Sequence, residues 1–78
     1  MEAMTAAGAC ESVWHCGRGP TQLWCQLRQD GDGEFQLQVL RNGRLYGAYQ
    51  FPDRAPAMVF AWRLRTSFEG NGWTALHE

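Results

Sequence analysis

A chain of 78 residues is too short for two domains, and a formal net charge of −1 gives it no excess with which to seek a polyanion. At this length only about 60% of the unfolded chain's surface can be buried, so the core is thin and a staple, a metal or a partner would add to it. Three cysteines, Cys10, Cys16 and Cys25, are an odd number in a chain without an export signal, which argues for reduced thiols over a disulfide framework.

All seven basic residues are arginines, and the simplest account of that bias is compositional. The first dozen residues, MEAMTAAGACES, lack the basic stretch and apolar run of a secretory signal. No run approaches the roughly 18 apolar residues of a membrane span. The expected location is the cytoplasm, with no membrane contact.

Residues 1–12 are rich in small side chains and without periodicity, and read as an unstructured segment. One small α+β domain is expected over 13–74, followed by a short tail, 75–78. "SVWHC" (12–16) is a candidate N-terminal edge strand, and "GRGP" (17–20) is a turn.

Regular alternation starts at residue 21. "TQLWCQLR" sets Leu23, Cys25 and Leu27 against Gln22, Trp24, Gln26 and Arg28, and "EFQLQVL" sets Phe35, Leu37 and Val39 against Gln36 and Gln38. Both are half-buried strands. With "QDGDG" (29–33) as the hairpin loop, the expected pairs are Leu27 with Phe35, Cys25 with Leu37 and Leu23 with Val39.

The next turn, "RNGR", carries two conflicting signals. Asn-Gly favours a two-residue turn with Arg41 opposite Arg44, which would put Tyr46, Ala48 and Gln50 under the sheet and expose Leu45, Tyr49 and Phe51. A three-residue loop with a bulge at Gly43 aligns Val39 with Leu45, Leu37 with Gly47 and Phe35 with Tyr49, and keeps the apolar residues on the core side. The hydrophobic pattern selects the bulged loop.

After Phe51, Pro52 ends the strand, Asp53 is the expected N-cap, and Gly70 with Asn71 and Gly72 is the stop. At 100° per residue, Ala57, Phe60, Ala61, Leu64 and Phe68 form one stripe, the core face. Gly47 leaves room for Phe60 to approach the sheet, and Trp73 folds back onto the open end of the core. The expected architecture is a three-stranded antiparallel meander, with 12–16 as a candidate fourth strand, and one C-terminal helix packed on one sheet face.

No enzyme constellation emerges. Cys10, Cys16, Cys25 and His15 are zinc-ligand types without the C-x₂₋₄-C spacing of zinc hooks, and Cys25 points into the core. His15 and Cys16, adjacent on a strand, point to opposite faces and make a poor base–nucleophile pair. "GDGEF" resembles a piece of a calcium or phosphate loop but reads as a hairpin. No cofactor is expected.

Two surfaces point to binding. On the helix, Met58, Val59 and Trp62 lie about 100–200° from the core stripe, with Ala55 among them. Such a second apolar face suits a protein partner or a homodimer; the competing account is cover within the chain by Val13 and Trp14. On the outer sheet face, Trp24, Gln38 and Tyr46 are expected in a row, flanked by Arg28, Arg44 and glutamines, a surface able to stack bases and meet phosphates.

The layout of residues 21–70, three strands and then a helix entered through "FPD", is similar to that of small βββα DNA-binding domains of the integrase-arm kind. That resemblance implies readout by the sheet and assigns no residue roles. After residue 20 the chain has six Arg and six Asp or Glu, without the basic excess usual for nucleic-acid binders. The sequence therefore predicts a small non-enzymatic module acting through protein contact or homodimerisation, with nucleic-acid binding by the sheet as the alternative.

Overall fold

The computed structural model describes residues 10–29, 31 and 33–76. Strands β1 (Cys10–Arg18), β2 (Thr21–Gln29), β3 (Phe35–Arg41) and β4 (Arg44–Phe51) precede a helix, α1 (Arg54–Gly70), and a two-residue strand, β5 (Thr74–Ala75). They form one antiparallel sheet in the order β4-β3-β2-β1-β5, with α1 on one face. The α+β architecture is the expected one, enlarged at its N-terminal side.

Strand β1 begins at Cys10, inside the segment read as unstructured; residues 1–9, Asp30, Asp32 and the tail beyond Leu76 lie outside the described residues. Nor is β1 an edge strand over its whole length. β5 pairs with it through Cys16↔Ala75 and Gly17↔Thr74, and Leu76 N–H donates to His15 C=O at 2.8 Å. Two residues carry no periodicity, so β5 left no mark in the sequence pattern.

The β2–β3 register differs from expectation by two residues. Leu27 pairs with Leu37 and Cys25 with Val39, because β2 continues to Gln29, which pairs with Phe35 and moves the five-residue connection one position along, to 30–34. A two-residue slip keeps every side chain on its face, so alternation alone could not detect it.

At the β3–β4 hairpin both sequence signals are honoured, at different places. Arg41 pairs with Arg44 around Asn42 (φ 50) and Gly43 (φ 85), the two left-handed positions of a type I′ turn. The three-residue loop is therefore wrong. The extra residue sits further along, where the register shifts between Val39 and Leu40. Beyond that bulge Val39 faces Gly47, Leu37 faces Tyr49 and Phe35 faces Phe51, so Gly47, Tyr49 and Phe51 return to the helix side while Leu45 faces Leu40 on the open side. Asn42 ties the turn to β2: its N–H donates to Gln22 C=O, and its Oδ1 accepts from Gln22 N–H, each at 2.9 Å.

Gly43→Ala forces a Cβ into left-handed backbone. Chemical denaturation should show a loss of about 1–2 kcal/mol with an unchanged dependence on denaturant.

Helix α1 starts after Asp53, whose extended backbone (φ −138) occupies the N-cap position without a side-chain capping bond. Pro56 falls in the first turn, where its missing N–H costs nothing. The helix runs through Gly70, so Gly72, not Gly70, is the left-handed stop, at φ 95. Trp73 N–H reaches Phe68 C=O at 3.1 Å and Gly72 N–H reaches Glu69 C=O at 3.2 Å, the paired bonds of a Schellman end. Its usual apolar contact is present too, the Phe68 and Trp73 rings lying 5.9 Å apart.

The core comprises Trp14, Cys16, Leu23, Cys25, Leu27, Leu37 and Val39 from the sheet and Ala57 and Ala61 from the helix. Two fully buried alanines let α1 come close to the strands. Phe60, Leu64 and Phe68 pack around them. Phe60 meets Tyr49 edge-on at 4.7 Å and Phe51 at 5.5 Å. The space over Gly47 is filled by the Tyr49 ring, not by Phe60: a Cβ on Gly47 would stand 3.1 Å from the Tyr49 hydroxyl.

Candidate protein-contact surfaces

Helix α1 turns Ala57, Ala61, Leu64 and Phe68 toward the sheet, which leaves the side bearing Ala55, Val59, Trp62 and Thr66 facing away from it. Val59 is 54% and Trp62 43% exposed. Met58 separates from this group: it is half-buried and packs against the core, because it lies nearest the edge of the core stripe. With Arg63 and Thr66, Val59 and Trp62 line a shallow, open depression.

The polar groups bordering this patch are largely occupied within the helix. The Arg65 guanidinium lies 5.0 Å from the Trp62 ring centroid while its Nε donates to Glu69 at 3.2 Å. Thr66 donates its hydroxyl to Trp62 C=O at 3.1 Å. Covering the patch would therefore leave that hydroxyl satisfied.

Val13 and Trp14 do not cover it. Trp14 slides under the helix, where its Nε1–H donates to Ala61 C=O at 2.8 Å and its ring meets Phe68 at 5.8 Å. Val13 likewise packs against the core. Trp14 is the residue that sequence reasoning undervalued, although its two-residue spacing from Cys16 was the available signal.

The open sheet face differs from the expected row. Trp24 pairs with Leu40, and Leu40 with Leu45; Gln38 pairs with Ala48. Tyr46, 59% exposed, falls at the bulge and joins no row with Trp24. Arg44 is paired with Arg41, which pairs with the buried Leu23, so by register both arginines lie on the helix side of the sheet. Arg28 stays on the open face, opposite Gln36. The turn register and the bulge thus take Arg44 and Tyr46 out of the row with Trp24, while Trp24 and Arg28 remain on the same face of β2.

Trp24 is also engaged. His15, its neighbour on β1, stacks on it with centroids 3.7 Å apart and planes 7° from parallel. One face of the Trp24 ring is thus occupied by His15. His15 Nε2 lies 3.2 Å from Gln22 Oε1, and its Nδ1 is buried without a partner.

The thiols split by burial. Cys10 is exposed, whereas Cys16 and Cys25 are fully buried. Burial, with neighbouring Cys16 adding to it, pushes the Cys25 thiol up to about 12. Burial raises Cys16 too, Glu69 adding to the rise and Arg65 opposing it. Such thiols are poor nucleophiles at neutral pH. Among the described residues, no three His, Cys, Asp or Glu side chains gather to hold a metal, and no helix is long and apolar enough to cross a membrane.

Comparison of the chain with protein-family models, curated proteins and solved structures finds no match.

Proposed function

We propose that this chain is a small non-enzymatic binding module that works by protein contact through the outer side of α1, centred on Trp62. The observation that carries this reading is the exposure of Val59 and Trp62 beside each other while the N-terminal strand is already folded beneath the helix. Tryptophan is enriched in interface cores, and Arg63 and Arg65 supply a polar rim. Free thiols at Cys10, Cys16 and Cys25 fit the reducing environment of the cytoplasm. The nucleic-acid reading receives less support, since Trp24 is stacked on His15 and Arg44 lies away from the open face.

Trp62→Arg is expected to abolish association, whether with a second copy or with a protein that co-purifies with the wild type, and to leave the thermal midpoint within a few degrees. Burying the new charge in a dry contact costs several kcal/mol, whereas the Ala57, Phe60, Ala61, Leu64 and Phe68 side is untouched. Sedimentation and thermal melts across a concentration series check both. A variant that still associates, or that unfolds at every concentration, overturns the assignment.

A further inference from the structure

We infer that the free edge of β4 is a second contact site, which accepts an extended, apolar protein segment carrying a carboxylate, added to the sheet as a further strand. β4 ends the sheet order, and no described strand lies beyond it. An uncovered edge strand is a template for main-chain pairing, and proteins ordinarily blunt it with lysines, prolines or charges. Over Arg44–Phe51 the only charged residue is Arg44, at the first position, and there is no proline. The bulge near Leu45 interrupts only the start of the strand; Gly47–Phe51 pairs regularly.

Side chains along this edge favour such an occupant. Leu45 and Tyr46, 60% and 59% exposed, are the most exposed large apolar residues among those described, and Tyr49 is exposed as well. Strand addition uses the backbone for affinity and alternate side chains for specificity, so exposed apolar side chains on both faces of an open edge are what an incoming strand reads.

The charge pattern gives the partner its acid. Arg41 and Arg44 stand directly opposite each other across the hairpin, both exposed, and neither forms an ion pair among the described residues. Like charges directly opposed are unfavourable, and a carboxylate between the two guanidinium groups relieves this. The same feature disfavours a second copy as occupant. β4 contains no acidic residue, so pairing it with itself supplies no carboxylate to Arg44 from either strand.

The test uses the full chain and labelled octapeptides of alternating valine and threonine, with a terminal glutamate or a lysine in its place. The glutamate peptide should bind, detected by fluorescence polarisation, and should slow amide exchange in β4. Methylating the peptide's alternate backbone nitrogens in one phase should abolish binding, and in the other phase should not, since a strand pairs through one edge. Arg44→Gln should weaken the glutamate peptide about two- to fivefold, the scale of an exposed ion pair, and should not weaken the lysine peptide. Trp62→Arg should change nothing, which separates this site from the helix surface.

No binding of the glutamate peptide, equal binding in both methylation phases, or loss with Trp62→Arg overturns the proposal. A concentration-dependent dimer of the chain alone that protects β4 amides overturns it in favour of self-pairing.

Discussion

Replacing Trp14 with Ala is expected to destabilise the domain by about 3–5 kcal/mol, much of the stability available to a chain of this size. Trp14 is 6% exposed, touches Phe68, and spans the gap between β1 and α1 with the bond from Nε1 to Ala61 C=O. Its loss opens a cavity where β1 meets the helix. Trp14→Phe restores most of the volume and removes the bond; because Ala61 C=O keeps its acceptor role within α1, no buried group is orphaned and the cost should be about 1 kcal/mol. Urea unfolding of the two variants separates packing from hydrogen bonding. If Trp14→Ala costs less than 1 kcal/mol, β1 is not docked as described.

Alkaline solution should unfold the protein progressively from pH 9 upward, and Cys25 should account for much of the slope. Its thiol has an ordinary value of 9.0 and is held at about 12 in the folded chain. The unfolded chain therefore loses this proton first, and each pH unit between those values favours unfolding by at most about 1.4 kcal/mol for this group. Below pH 9 the thiol is protonated in both states and contributes no pH dependence; above about 12 its effect is complete. Cys16, also raised, acts with the same sign. Cys25→Ala should flatten the alkaline limb relative to wild type, even if its midpoint at neutral pH is lower. An unchanged slope would contradict the burial of this thiol.

Much of the architecture was legible because alternation is a direct record of burial. Leu23, Cys25, Leu27, Leu37 and Val39 all stand on the side the sequence assigns them, and the Ala57–Phe68 stripe meets the sheet. Registers were less legible. Period two fixes a face and is indifferent to a slip of two, so the partner of Leu27 depended on how far β2 runs. At Asn42-Gly43 the turn chemistry and the hydrophobic pattern conflicted only on the assumption that the irregularity lay in the loop. A bulge inside β4 satisfies both, and it also moves Arg44 off the face where the sequence had placed it.

For the helix surface, an ideal wheel identified Val59 and Trp62 as outward-facing and overcounted Met58, whose flexible side chain reaches the core from the flank. The β4 edge was not legible as a site, because an unpaired backbone is a property of sheet order, and order depends on where the N-terminal strand settles.

The strand order also prescribes a sequence of events. β2, β3 and β4 each pair with the strand just before them in the chain, so the sheet can grow outward from the first hairpin by short loop closures alone. Only the β1–β5 contact joins opposite ends of the described chain. It closes the longest loop among the strand pairings, with the helix inside it, and it is two residue pairs long. By loop length, the meander is favoured to form early and the β1–β5 clasp to close late. The clasp guards part of β1, whereas among the described residues no strand pairs with the outer rim of β4.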